Sequence, residues 1–106
     1  MFARRVYMRL KSGCVAELTK KLDKEVIPML RKLKGFQDEI TFVTQSGTEA
    51  FAISLWDHAG NAEAYNRTTY PAVLDMVSEF INGKPHVETF DVTNSTFHKI
   101  VPATAV

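Results

Sequence analysis

Hydrophobic residues recur with two periods along this chain, and the two periods predict strands and helices in alternation. Residues 2–10 alternate between apolar and polar side chains, which is typical of a strand. Between Val15 and Leu33 the apolar residues return every three or four positions, as on the buried face of a helix. Pro28 lies inside this helix and removes a backbone donor, so we expect the helix to bend or restart there. Gly35 suits its left-handed end.

The rest of the chain repeats these two patterns. The predicted elements are strands at about 36–44, 49–56 and 86–94, a short helical segment at 61–66, and a helix that begins at Thr69-Tyr70-Pro71. Gly47 lies between the first two of these strands and suits a tight turn, which predicts an antiparallel hairpin. Asn82-Gly83 and Pro85 are expected to end the last helix before the final strand.

The resulting order, β-α-β-β-α-β, predicts an α+β fold of the ferredoxin-like type, in which helices cover one face of a four-stranded antiparallel sheet. We expect Phe51, Ile53 and Leu55 to point to the helices. The other sheet face would then carry a mixture of basic, aromatic and small side chains: Arg5, Tyr7, Arg9, Ala52, Ser54 and Trp56. An uncovered face of this kind usually marks an interface or a ligand groove. A second copy related by a two-fold axis is its simplest cover.

Length and composition indicate one ordinary globular domain. The chain has 106 residues, of which 45% are hydrophobic and 24% are charged. We assign residues 1–94 to the domain and residues 95–106 to a C-terminal tail. A core of this size leaves little room for the usual ligand pocket of about 300–1,000 Å³ within one protomer. A site completed by a second protomer would remove that restriction.

Charge is distributed unevenly along the chain. Residues 1–34 carry ten Lys/Arg against three acidic residues, whereas residues 35–106 carry three against nine. Tyr7 between two arginines is a local hint of nucleic-acid binding. Most of the lysines, however, lie on the outer face of the first predicted helix and form surface pairs such as Glu17 with Lys21. We therefore expect charge complementarity within the fold and the dimer, and no nucleic-acid partner.

Cysteine, histidine and hydropathy patterns argue against a disulfide, a metal and a membrane. Cys14 is the single cysteine, and His58, His86 and His98 are scattered without the spacing of metal ligands. No run of about 18 apolar residues occurs, and the N-terminus lacks an apolar stretch of signal-peptide length. We therefore expect a cytoplasmic protein with no metal, no membrane association and an inert thiol.

Three segments of the chain carry a family resemblance. They are Lys34-Gly35-Phe36, Ile53-Ser54-Leu55-Trp56-Asp57, and the run from Ala62-Glu63-Ala64-Tyr65-Asn66 to Thr69-Tyr70-Pro71-Ala72-Val73-Leu74. These residues resemble the antibiotic biosynthesis monooxygenase-like domain, and the similarity spans about residues 2–92. The resemblance implies a homodimeric α+β barrel in which two sheets face each other across a cavity. It leaves the chemistry open, since such domains include cofactor-free oxygenases of phenols and quinols, haem degraders and proteins of unknown role.

The leading expectation from this resemblance is a monooxygenase that uses dioxygen and no cofactor on a small phenol, quinol or polyketide-like substrate. Such an enzyme must remove a proton, stabilise the anion and hold it beside oxygen in a dry cavity. As catalytic residues we predict His86, Tyr65 and Arg5, with His86 as a candidate base and Arg5 as the partner of a phenolate. The predicted substrate-binding residues are Tyr7, Arg9, Trp56, Asn66 and Tyr70.

Structural roles stay open for these residues. Trp56 and Tyr65 also fit core or dimer packing, and Arg5 and Arg9 also fit ion pairs with acids of a neighbouring strand or of the partner. His86 also fits a solvated position at the start of a strand.

Two other functions are weighed against the oxygenase. One is a non-catalytic dimeric ligand-binding or stress-responsive barrel, because no obligatory motif separates active from inactive members of this fold. The other is haem degradation, whose Asn, Trp and His would by resemblance fall near Val6, Tyr65 and Asp75. None of these three residues fits, and iron would lack an axial histidine, so haem degradation is disfavoured.

Overall fold

The computed structural model describes residues 1–97 and has the predicted order of elements. The strands are β1 (Phe2–Leu10), β2 (Phe36–Val43), β3 (Glu49–Trp56) and β4 (Ile81–Asp91). The helices are α1 (Val15–Lys21), α2 (Ile27–Arg31), α3 (Ala59–Thr68) and α4 (Tyr70–Val77), and a 3-10 turn, Ser78–Phe80, follows α4. His98 and the end of the tail lie outside the described residues, and the domain boundary after residue 94 stays a prediction.

The four strands form one antiparallel sheet in the order β2-β3-β1-β4. On one face of it, Val6 and Met8 of β1 pair with Ala52 and Ala50 of β3. This face packs against the apolar sides of the helices, where Leu18 is among the most deeply buried side chains. The predicted α+β, ferredoxin-like arrangement is therefore confirmed.

The first predicted helix is interrupted just before Pro28, as the sequence predicted. A π-helical turn, Leu22–Val26, separates α1 from α2, and Pro28 lies in the first turn of α2. In a regular α-helix a proline ring clashes with the carbonyl four residues earlier. For Pro28 that carbonyl belongs to Lys24, which lies in the wider π-helical turn, where there is room for the ring. The turn directs Leu22 and Val26 towards the sheet, where both line a cavity.

The last strand begins earlier than the sequence predicted. It starts at Ile81 instead of His86. Its pairing with β1 jumps between Asn82 and His86, so that residues 83–85 stand opposite a single residue of β1. Gly83 supplies a positive φ of 73° within this bulge. The glycine and proline that predicted the end of a helix therefore belong to a β-bulge.

The predicted facing of β3 is wrong. Ser54 pairs with Arg4 and Trp56 pairs with Phe2, which places both β3 residues on the helix-covered face. The side chains predicted to face the helices lie on the outward face instead: Phe51, Ile53 and Leu55. Apolar residues occupy both faces of β3, so alternation alone does not choose a face, and the register with β1 decides it. Trp56 therefore does not share a face with Arg5 and Tyr7.

Candidate functional site

A narrow cavity lies between the sheet and the helices, beneath the π-helical turn. It has about 60 Å³ of room for water-sized molecules. Most of its wall is aliphatic, and the polar groups that reach it come from five residues: Arg4, Glu39, Ser54, Tyr65 and Tyr70. An apolar wall with a few convergent polar groups is typical of a small-molecule site.

Arg4 brings a positive charge into this cavity. Only 2% of its surface is exposed, and its Nη2 donates a hydrogen bond to Asn66 Oδ1 at 2.8 Å. The guanidinium lies 4.0 Å from the centroid of the Tyr70 ring and 5.2 Å from that of Tyr65. Among residues 1–97, no carboxylate lies within ion-pairing distance of it. A buried cation with aromatic and amide partners alone favours an anionic ligand.

Trp56 and Tyr65 form a stacked aromatic pair at the site. Trp56 is completely buried, and the Tyr65 ring stacks on it with the centroids 5.1 Å apart. Trp56 Nε1 donates to Ser54 Oγ at 2.9 Å, which fixes the indole. Burial raises the pKa of Tyr65 to about 12. The Tyr65 hydroxyl therefore stays protonated near neutral pH and can donate a hydrogen bond, but it is a poor base.

Glu39 places a carboxyl group in the same cavity. It lies on β2, where it pairs with Ser54 of β3. Thr41 Oγ1 donates to Glu39 Oε2 at 2.6 Å. Burial raises the pKa of Glu39 despite this hydrogen bond. The cavity thus has a cation on β1 and a proton-accepting group on β2.

The connection after β3 holds α3 in place. Asp57 Oδ1 accepts hydrogen bonds from the backbone N–H of His58 at 2.7 Å and from Asn61 Nδ2 at 2.8 Å. The Asn61 bond holds the pKa of Asp57 below its usual range. A Cβ at Gly35 would lie 2.4 Å from Asp57 Oδ1, so only glycine fits there. The close approach of Gly35 to Asp57 and Asn61 fixes the start of the helix that carries Tyr65.

The sheet divides the predicted site residues into two groups. Four of them lie on the helix-covered side, in or beside the cavity: Trp56, Tyr65, Asn66 and Tyr70. The other four lie on the outward face: Arg5, Tyr7, Arg9 and His86. One predicted site is therefore two separate clusters.

The outward cluster is held by contacts between neighbouring strands. Arg5 forms an ion pair with Glu88. Tyr7 donates from its hydroxyl to Glu49 Oε2 at 2.5 Å, and this bond raises the pKa of Tyr7. The His86 ring lies 6.1 Å from that of Tyr7 and is exposed. Arg5 and Tyr7 are half-buried by these contacts, and Arg5 Nε is buried without a hydrogen-bond partner among residues 1–97, whereas Arg9 and His86 are exposed.

The remaining candidate groups do not form a site. Cys14 is buried, and its thiol donates to the carbonyls of Lys11 at 2.9 Å and Phe80 at 3.3 Å. Within residues 1–97, no cluster of three His, Cys, Asp or Glu side chains is placed to hold a metal ion. Over the same residues, no helix is long and apolar enough to cross a bilayer.

Sequence reasoning missed Arg4 and Glu39. Arg4 has a signal in the sequence, because it occupies an even position of β1 between Phe2 and Val6, where the pattern requires an apolar residue. A charged residue in a buried register is a marker of a site. Glu39 has no such signal, because it is one of three consecutive polar residues at the start of β2.

No protein-family model matches the sequence, and no curated protein matches it. Among solved structures, the chain is similar to SnoaB, a cofactor-independent oxygenase from Streptomyces nogalater, with a TM-score of 0.74 and 8% identity over 90% of this chain and 95% of that one. It is also similar to the NE2512 protein of unknown function from Nitrosomonas europaea, with a TM-score of 0.74 and 14% identity over 91% and 92% of the two chains.

A third similar structure is that of an antibiotic biosynthesis monooxygenase, which matches with a TM-score of 0.70 and 14% identity over 89% of this chain and 100% of that one. Identities this low carry the fold and not the activity. The chain therefore has the fold of the antibiotic biosynthesis monooxygenase-like domains, as its sequence predicted.

Proposed function

We propose that this protein is a cofactor-independent oxygenase of a small phenol or hydroquinone, with the helix-side cavity as its site. The observation that carries the proposal is Arg4, a buried cation that has no carboxylate partner within residues 1–97. Desolvating a charge costs free energy unless a counter-charge or strong hydrogen bonds compensate for it. A phenolate bound against Arg4 supplies that counter-charge.

The reaction needs no outside reductant. A hydroquinone and dioxygen together contain the same atoms as a hydroxyquinone and one water. One oxygen atom of dioxygen is added to the ring, and the other leaves as water with two hydrogens of the substrate. Arg4 stabilises the electron-rich anion that reacts with oxygen. Tyr65 and Tyr70 flank the ring, and the Tyr65 hydroxyl donates a hydrogen bond. The mostly aliphatic wall limits the water that reaches the intermediate.

The size of the cavity favours a single ring. Its room of about 60 Å³ is far below that of a typical ligand pocket, about 300–1,000 Å³. Leu22 and Leu74 line it and are only half-buried, so their side chains can change rotamer to admit a ring. A polycyclic polyketide would require the helices themselves to move.

A second copy of the chain is the proposed cover of the outward face. This face exposes Ile40, Phe42 and Phe90, each to between 42% and 50%. It also carries basic and acidic side chains, among them Arg5 and Glu88. A patch with apolar residues and both signs of charge can be self-complementary under a two-fold rotation, which is the commonest symmetry of protein dimers.

The second candidate function is a non-catalytic ligand-binding dimer. The narrow cavity favours it, because a site that binds an anion without reacting needs no room for a second substrate. The catalytic roles of His86 and Arg5 stay predictions under both functions, because the two residues lie on the outward face of the sheet and not in the cavity.

Oxygen uptake tests the proposal. Wild-type protein is assayed with hydroquinone, methylhydroquinone and anthrone, alone and with flavin or haem added separately. We expect uptake with the single-ring substrates without additions, and a loss of about 10²–10³-fold in kcat/KM for Arg4→Gln. Arg67→Gln, an exposed arginine on α3, is the matched control. Absence of uptake by wild type under every condition would contradict an oxygenase.

A further inference from the structure

Three side chains lie in one row across the sheet and connect the two charges of the cavity. Arg4 pairs with Ser54, and Ser54 pairs with Glu39, all on the helix-covered face. Neighbouring strands are about 4.8 Å apart, so the backbones of Arg4 and Glu39 are separated by two strand spacings, with Ser54 between them. The two charged groups line the same cavity without forming an ion pair with each other.

The surroundings of Glu39 contain few groups that compensate its charge. The elements that face it bring Arg4 from β1, Tyr65 from α3 and Tyr70 from α4, and the segment from α1 to α2 contributes only aliphatic side chains to this wall. The one hydrogen bond it accepts comes from Thr41 of its own strand. A half-buried carboxylate with one neutral donor has lone pairs left for another donor.

We propose that Glu39 is the base that takes the proton of a phenolic hydroxyl, and that the preferred substrate is a ring with hydroxyl groups at opposite ends. This inference rests on the proposed oxygenase function. The O–H bond of the substrate breaks, the proton forms an O–H bond with Glu39, and the electron pair stays on the ring oxygen. The negative charge spreads through the ring to the opposite end, where Arg4 faces it.

Burial suits Glu39 to this task. A desolvated carboxyl has a higher pKa and is therefore a stronger base than an exposed one. His86, the base predicted from the sequence, is on the other side of the sheet and cannot reach the same hydroxyl.

Substrate acidity separates a base from a structural residue. With hydroquinone, Glu39→Gln should lose about 10²–10⁴-fold in kcat, and the rise of kcat/KM with pH through the Glu39 pKa should disappear. With trifluorohydroquinone, which ionises in solution near neutral pH and keeps one ring hydrogen for hydroxylation, the loss should shrink to less than about tenfold because no base is needed. Glu17→Gln, at an exposed position of α1, is the matched control. An equal loss with both substrates would overturn the proposal.

Anaerobic binding tests the same geometry without turnover. At a pH where both groups are ionised, Glu39→Gln should bind 4-nitrophenolate about tenfold more tightly than wild type, because removing the carboxylate removes a like charge. Unchanged or weaker binding would overturn the placement of Glu39 beside the ligand. If wild type shows no oxygen uptake but the tighter binding is found, the oxygenase function fails while the two-charge site stands.

Discussion

Arg4 and Arg5 are consecutive in the sequence but lie on opposite faces of the sheet, and their surroundings differ. The side chain of Arg5 is 35% exposed and paired with Glu88. Arg4 is buried and has an amide and two aromatic rings as its partners. An outward arginine with its counter-ion is an ordinary surface group, whereas a buried one without a carboxylate lowers stability unless a ligand compensates for it. This contrast supports the proposal that a ligand binds on the helix-covered face.

The same contrast holds for the two tyrosines that the sequence proposed for the site. Tyr7 lies on the outward face and donates to Glu49. Tyr65 is buried against Trp56 and Arg4. On the outward face the polar groups form pairs between strands, although Arg5 Nε is buried without a hydrogen-bond partner among residues 1–97. On the other face polar groups line a cavity. The outward face is therefore suited to association and the inner face to chemistry.

Removing Trp56 should have the largest effect of any single change on the inner face. Trp56→Ala deletes a fully buried indole and should lower the free energy of unfolding by about 3–5 kcal/mol. Ile53→Ala, on the outward face of the same strand, should cost clearly less because Ile53 is only half-buried. Urea denaturation of both variants measures the difference. Equal losses would mean that the two faces are packed alike.

Arg4 substitutions should separate activity from stability. Arg4→Met should abolish binding of 4-nitrophenolate, yet raise the free energy of unfolding by about 1 kcal/mol or more, because it removes an uncompensated buried charge. Arg5→Gln should have little effect on that binding and should weaken association of two copies. Thermal unfolding and anaerobic titration give both quantities. A large loss of stability in Arg4→Met would show that the arginine is a structural group.

The fold could be predicted from the sequence because its signals are local. The stripe from Val15 to Leu33 has one period throughout, and Pro28 marks its interruption correctly. The start of β4 could not be predicted, because residues such as Gly83 and Pro85 suit the end of a helix and a β-bulge equally well. Only pairing with β1 distinguishes these two outcomes.

The site was predicted less well than the fold because it depends on which way β3 faces. A strand with apolar residues on both sides can be placed either way up, and the wrong choice joined Trp56 to Arg5 and Tyr7. The family resemblance pointed to Tyr65 and Tyr70, and both of them line the cavity. Glu39 could not be found, because its place beside Ser54 depends on the register between β2 and β3, which the sequence pattern does not specify.

Tyr65 should make stability depend on alkaline pH. Its folded-state pKa of about 12 lies above the ordinary value of 10.0, so the unfolded chain releases this proton first as the pH rises. Its stabilising contribution is complete below pH 10 and is lost progressively between 10 and about 12, by about 2–3 kcal/mol in all. Tyr65→Phe should remove this part of the decline, whereas Tyr7→Phe should leave this part and remove only the decline that the raised pKa of Tyr7 adds. Urea midpoints measured across that window test the assignment, and identical curves for wild type and Tyr65→Phe would contradict it.

The smallest effect on the single chain, and the sharpest test of the outward face, should come from Phe42. It is 50% exposed on that face, so Phe42→Ser should change the unfolding free energy of the monomer by no more than about 0.5 kcal/mol. If a second copy covers the face, the same change should convert dimers to monomers in sedimentation equilibrium. Val87→Ser is the matched control, because Val87 is 41% exposed but lies on the opposite face of the sheet. Dissociation by Val87→Ser and not by Phe42→Ser would place the interface on the helix-covered side and reverse the roles of the two faces.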